Sequence, residues 1–477
     1  MGYSPETEQV LHDYWGQITD GMNTVQWWRW DNLDGYHGFL MPNLAPFPAM
    51  RELLADTQVI REGLGTLLMR SRMCDDGVAM LYSMPSTHIA FFDGNQTYGD
   101  YKRDHERWIS LLHGAGLQFR YVTDRMLRLG EFDAPRYKVL LLPLAFALGR
   151  AEADAVRAFV RNGGTVIADV RPALYDGHCR PLENGLLDDM FGVKRTGKQD
   201  AVEIDRLAVN DTLNGVTLQM MWGNWHGHDI YPAMKVDPTV SLTTGKALGR
   251  AYQVHYWAAL DTPVCAVNEF GKGHAVLLNF SIFNAPAGPL LSELLASAGV
   301  QPATRVATPK GGYPKDVTVT RWSNGQIGLV SLFGTHEGNV SVALPAPRVV
   351  YDLKAHKNLG ETSLFATALR PNRAAFFALL PRAAPSPELT LAAAARRGDA
   401  VSASLRIPNA VGQHAIRLTA STPSGQPAEW VNQTLIVGDQ PVPFVLPFAC
   451  NDPAGDWQVQ ATDLYAGQTT TAKVTLR

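Results

Sequence analysis

The chain has 477 residues, 46% of them hydrophobic and 18% charged, with a formal net charge of −3. That length suggests about three domains at ~150 residues each. The near-neutral charge gives no electrostatic case for nucleic acid or an anionic membrane surface, and the longest apolar run, Val139 to Leu148, is broken by Pro143 and well short of the ~20 residues a membrane span needs.

The balance of residues is that of an ordinary soluble globular protein. The N-terminus has no basic stretch followed by an apolar core, so the expected location is cytoplasmic. Cys74, Cys179, Cys265 and Cys450 are scattered without paired spacing, which argues against a disulfide or zinc framework. No cofactor is expected.

Ser4-Pro5-Glu6 reads as a helix start, and Val10, Leu11, Tyr14, Trp15 and Ile18 recur at helical spacing up to Gly21. Met22 to Trp30 reads as a strand, rich in β-branched and aromatic residues. After a polar loop, Met50, Leu53, Leu54, Ile60, Leu64, Leu67 and Leu68 mark one face of a second long helix. From Val78 the pattern becomes strand alternating with helix. "VAMLYS", "QFRYVT", "KVLLLPL" and "GTVIADV" are the strands, and "DYKRDHERWISLLHGAG" and "AEADAVRAFVRNGG" the helices between them. The elements "GKGHAVLLNFSIF" and "PLLSELLASAGV" close this region near residue 300. Such alternation predicts a doubly wound, flavodoxin-like parallel sheet. After "QPATRV" helical periodicity ends. "DVTVTRW", "QIGLVSLF", "NVSVAL", "VVYDL" and "AAFFALL" predict one β-sandwich. Beyond the proline- and alanine-rich linker "PRAAPSPE", "AVSASLRI", "HAIRLTAST", "VPFVLPF" and "DWQVQATDL" predict a second.

The stretch "WWRWDNLDGYHG" carries most of the functional signal. Trp28 and Trp30 share a strand face by period-two alternation, and Asp34 and His37 come next in a polar loop, where (β/α) barrels place functional groups. Two readings stand: an aromatic cluster packing a core, or indoles stacking on a pyranose while an acid and an imidazole bind its hydroxyls.

This stretch, with a long helix after it, resembles the end of the catalytic barrel of glycoside hydrolase family 42 β-galactosidases, with Asp34-Gly35-Tyr36-His37 standing where the family has Glu-x-x-His. The order of the later regions is similar too: a doubly wound domain resembling a glutamine amidotransferase, used for trimer contacts, and then a small β-domain. "VVYDLKAHKNLG" and "AAFFALLP" look like that β-domain, so the resemblance covers roughly residues 1 to 382.

The resemblance implies an incomplete barrel remnant (1–72), a trimerisation domain (76–301) and a β-domain (302–382), with an immunoglobulin-like sandwich (388–477) outside the usual pattern. It implies a homotrimer acting on β-galactosides, with Trp28, Arg29, Trp30, Asp34 and His37 contacting substrate. Asp34 shortens by one methylene the arm that would hold galactose hydroxyls.

A retaining glycosidase needs an acid/base and a nucleophile ~5 Å apart. The family carries them on the fourth and seventh barrel strands, upstream of anything here, so no residue of this chain is assigned a catalytic role. One strand and two helices cannot close a barrel, and alone they would expose large apolar faces. The expectation is therefore a truncated chain, inactive alone, with a non-catalytic carbohydrate-binding or oligomerisation scaffold as the alternative.

Two other motifs carry less weight. The amidotransferase nucleophile position, after "GTVIA", is held by Asp169, and Cys179 lacks an evident His partner, so thioester chemistry is not expected. "WHGHD" pairs His226 and His228 with Asp229, but a third metal ligand is not visible.

Overall fold

The computed structural model describes residues 6–27, 39–41, 43–92, 98, 100–196, 201–204, 206–223, 234–253 and 258–477. The chain forms two units, one of residues 75–303 and the other of 1–74 with 304–477.

Unit 75–303 is built on a nine-stranded sheet. Five strands run parallel in the spatial order Phe119–Thr123, Val78–Tyr82, Val139–Leu142, Thr165–Ala168, Gly273–Leu278. They read as unbroken apolar runs because both faces are covered. Val78, Met80, Val139, Leu141 and Ile167 point to one face, where they meet Trp108 and Leu112 of the helix Tyr101–Gly114 and Leu290, Leu291 and Leu294 of Gly288–Ser297. Ala79, Leu81, Leu140, Leu142 and Val166 point to the other, against Val156, Phe159 and Val160 of Arg150–Arg161. In chain order the parallel strands lie 2-1-3-4-5, one of the two common doubly wound arrangements.

The sheet then continues through four antiparallel strands, Ala258–Phe270, Lys246–Gln253, Arg206–Leu213 and Val216–Gly223. The residue pattern predicts no strand between residues 170 and 271, so this extension is a correction. Its strands are half-exposed, as in the alternating burial of Arg206–Leu213, and Lys246–Gln253 slips register between Ala247 and Ala251. Both features dilute the apolar signal.

In the other unit, the first helix is Thr7–Thr19 and ends where Gly21 turns left-handed at φ +90°. The expected strand from Met22 has no strand pairing over Met22–Trp27, and residues 28–30 lie outside the described ones. A strand without a neighbouring ladder has nothing to pair with. The second long helix is broken as well. Pro48–Asp56 passes into a π-turn, Ile60–Leu64, and on to Gly65–Arg70, with Gly63 at φ +140°.

These helices do not leave their apolar faces bare, contrary to expectation. Val10, Leu11, Trp15, Met50, Leu53, Leu64 and Leu67 are buried with Phe333, Tyr351, Leu353, Phe376 and Leu380 of the later β-region, and with Ala415, Leu464 and Tyr465 beyond it. The β-region supplies their covering surface.

That β-region is one seven-stranded sheet rather than the expected two-sheet sandwich. Its long strand Gly338–Asp352 carries an irregularity between Ala343 and Arg348, around Pro345 and Pro347; both halves pair with Lys357–Leu369 on one edge, while on the other the first half pairs with Arg305–Ala307 and the second with Ala375–Leu380. Ala375–Leu380 is buried on both faces: Phe376, Ala378 and Leu380 face the helices, while Phe377 and Leu379 face a second core with Val330, Leu332 and Val350. Residues 388–477 form a three-stranded and a five-stranded sheet sharing one core around Leu405, Leu418, Leu446, Trp457 and Val459. The linker between them is pinned where the Ala384 N–H donates to the Tyr351 hydroxyl at 3.0 Å.

Candidate functional site

The five residues singled out in the sequence, Trp28, Arg29, Trp30, Asp34 and His37, lie outside the described residues, as do His226, His228 and Asp229. The residues flanking the aromatic stretch are described. Trp27 stacks parallel to Tyr14 at 6.3 Å and meets Phe39 edge-on at 5.2 Å. Trp27 and Phe39, the described residues on either side of 28–38, thus meet in one aromatic contact that includes Tyr14 of the first helix. Trp27 and Phe39 are half-buried and pack against the core of this unit, so for Trp27 the packing role holds.

The acids of the N-terminal helices are engaged in structural pairs. Arg373 donates to both Glu8, at 3.0 Å, and Glu52. A hydrogen bond from Asn372 and the charge of Arg373 hold the Glu8 carboxyl below its ordinary range. Asp56 accepts from the Trp15 indole at 2.6 Å and from the Lys354 ammonium at 2.8 Å, while Glu62 faces His356 at 3.3 Å. Burial lowers the Lys354 pKa. Each of these carboxylates anchors a helix to the β-sheet, a use that leaves none poised for proton transfer to a substrate.

In unit 75–303, ligands of a doubly wound sheet would be expected in the crevice at the carboxyl ends of the strands, where the strand order reverses. Here that crevice is filled from within. Ser86 Oγ donates to Ser83 Oγ at 2.8 Å and accepts from the Ala147 N–H at 3.0 Å, and the Tyr101 hydroxyl donates to the Ser83 carbonyl at 3.3 Å.

Beside it Asp169, fully buried, accepts from the Leu144 N–H at 2.6 Å and the Trp108 indole at 3.1 Å. Asp104, equally buried, accepts from Ser281 Oγ at 2.5 Å. Burial raises both carboxyls, Asp104 to about 6; the neighbouring Asp104 raises Asp169 further, well above its ordinary value, while the hydrogen bond between the two acids lowers Asp104. Asp104 was missed in the sequence. The available signal was its place one turn before Trp108, on the apolar face of an amphipathic helix.

Cys179 gives no sign of activation. Its thiol donates to the Pro85 carbonyl at 3.4 Å, and burial pushes its pKa up, the opposite of what a nucleophile needs. Among the described residues no cluster of three or more His, Cys, Asp or Glu side chains could hold a metal, and no described helix is long and apolar enough to cross a membrane.

Residues 76–301 match the family model for the β-galactosidase trimerisation domain of glycoside hydrolase family 42. Over that domain and in fold, the chain is similar to the C-terminal part of family 42 β-galactosidases. β-Galactosidase BbgII of Bifidobacterium bifidum is 22% identical over 320 residues, 63% of this chain and 42% of that protein. The family 42 β-galactosidase Gan42B of G. stearothermophilus shares the fold with a TM-score of 0.57 at 17% identity, covering 78% of this chain and 51% of that one. The β-galactosidase of Bacillus circulans sp. alkalophilus does so with a TM-score of 0.56 at 16% identity, covering 72% and 47%. The chain thus spans about half the length of the β-galactosidases it matches.

Proposed function

We propose that this chain is the C-terminal part of a glycoside hydrolase acting on β-galactosides, assembled as a homotrimer through residues 76–301. The observation that carries this reading is the match of those residues to the trimerisation domain of family 42 β-galactosidases. Trp28, Arg29, Trp30, Asp34 and His37 are assigned to the sugar-binding rim, with the indoles stacking on the ring and Asp34 and His37 bonding its hydroxyls. The general acid/base and the nucleophile belong to barrel strands outside residues 1–477. A cytoplasmic location and hydrolysis without a cofactor complete the reading. The second reading, a non-catalytic carbohydrate-binding or oligomerisation scaffold, draws on the N-terminal helices, which bury their apolar faces within this chain.

The test uses an aryl β-galactoside, with the chain alone and with the chain joined to the N-terminal barrel segment of a family 42 β-galactosidase. No turnover alone and turnover in the joined protein are expected. Turnover by the chain alone, abolished by replacing one of its own acids, would overturn the assignment of the catalytic pair. A joined protein that folds and assembles yet hydrolyses no galactoside would favour the scaffold.

A further inference from the structure

We infer that the aromatic face formed by the helix Met84–Phe92 and the strand Phe119–Thr123 is the surface on which a second copy of this chain seats. The inference rests on the trimer reading above and names the surface that reading needs.

Phe91 and Phe92 are 81% and 79% exposed, with their rings edge-to-face at 5.7 Å. The helix that carries them turns Ile89 and the hydrogen-bonded Ser86 inward and leaves both Phe rings outside. A surface helix ordinarily shows a polar outer face. Its first turn is fixed beside the strand, because the Met84 N–H donates to Asp124 Oδ1 at 3.2 Å, one residue past the strand's end. The strand carries exposed aromatic rings of its own. Tyr82 and Tyr121, both more than a third exposed, meet at 6.3 Å, and Tyr121 meets Phe119 at 5.2 Å. Met84, about half exposed, adjoins Tyr82 through Ser83.

The strand Phe119–Thr123 is also the end of the nine-stranded sheet, hydrogen-bonded on one side to Val78–Tyr82. Sheet edges are normally short, charged or covered, and a contiguous exposed apolar patch marks an interaction surface. Phe91, Phe92, Met84, Tyr82 and Tyr121 supply an apolar centre. A stable contact of about 800 Å² per partner would be completed by a polar rim. A ring of three copies uses two different patches per copy, so this face meets another part of its neighbour rather than itself.

The experiment measures mass by light scattering and sedimentation on the full chain across a concentration series. It compares wild type with Phe91→Asp/Phe92→Asp, with Tyr121→Ser, and with Met221→Asp as a control at an exposed apolar residue on the opposite end strand of the sheet. Expected are a wild-type trimer, a more than tenfold weaker association for the first two variants with unchanged circular dichroism, and no change for Met221→Asp. A wild-type trimer that all variants retain overturns the surface and leaves the trimer reading standing. So does dissociation by Met221→Asp alone. A wild-type monomer at tens of micromolar overturns both.

Discussion

Lys354 reaches Asp56 at 2.8 Å, tying the turn after the strand Gly338–Asp352 to the end of the helix Pro48–Asp56. The same carboxylate accepts from Trp15, a fully buried side chain, and the Lys354 ammonium lies 4.9 Å over the Trp15 ring. One acid thus joins both N-terminal helices to the β-sheet. Replacing it strands a largely buried ammonium and an indole N–H. Asp56→Ala should therefore destabilise this unit by roughly 3 kcal/mol, the scale for removing one partner of a buried pair. Lys354→Met, which removes the charge and keeps the stem, should cost less. Chemical denaturation of the three proteins checks the order. Equal midpoints would mean that apolar packing alone holds the helices.

Asp104 and Asp169 give a stability that depends on pH. Both carboxyls are raised in the folded state, Asp104 to about 6 against an ordinary 3.8, so the native protein binds protons that the unfolded chain has released. Stability from this pair is therefore greatest at low pH and falls as pH rises from about 4 through 6 and above. Asp104→Asn keeps an acceptor for Ser281 and removes the buried carboxyl that loses its proton at about 6. It should melt higher than wild type at pH 8, by about 1–3 kcal/mol equivalent, with the gap closing toward pH 4. Thermal melts at pH 4, 6 and 8 decide it, and parallel curves for the two proteins would rule out a proton-binding pair.

The difference between what the residue pattern conveyed and what it hid has a physical basis. Val78–Tyr82 and Val139–Leu142 were legible because a strand buried on both faces is apolar at every position. Arg206–Leu213 was not, because its exposed face breaks the run. The Trp108–Asp169 contact joins positions 61 apart and leaves no local trace. The burial of the N-terminal helices was misjudged for a related reason. Periodicity shows that Leu11 and Trp15 seek cover, but not that Phe376 and Tyr351, more than 330 positions on, provide it. The residues proposed for the sugar rim are the reverse case, named by family resemblance and lying outside the described residues.

Gly63 is a position where an added methyl group has no room. Its φ is +140°, and a Cβ there would approach the Ala415 Cβ to 2.8 Å. Gly63→Ala combines backbone strain with a clash against a neighbouring strand, and should destabilise by about 1–3 kcal/mol. Gly114, where an added Cβ meets nothing within 4 Å, is the internal comparison: Gly114→Ala should be neutral or slightly stabilising. Denaturant midpoints test the pair. A neutral Gly63→Ala would show that the π-turn yields without cost.

The remaining prediction concerns Asp34 and His37. If they bond sugar hydroxyls in the joined, active protein, each contributes ~0.5–1.5 kcal/mol, and more where the partner is charged. His37→Ala should then lower kcat/KM by about tenfold, since ~1.4 kcal/mol is one decade, and Asp34→Ala by at least as much. Trp28 and Trp30 complicate a simple loss-of-function test, because neighbouring Trp27 packs on Tyr14 and Phe39, and disturbing that contact could lower activity through misfolding. Melting temperature must therefore be read beside the kinetics. Asp34→Glu separates the cases further: it restores the longer arm of the family pattern, so a binding role predicts a change in galactoside preference at unchanged melting temperature. If Asp34→Ala and His37→Ala both melt normally and retain full activity, the two residues do not touch the sugar.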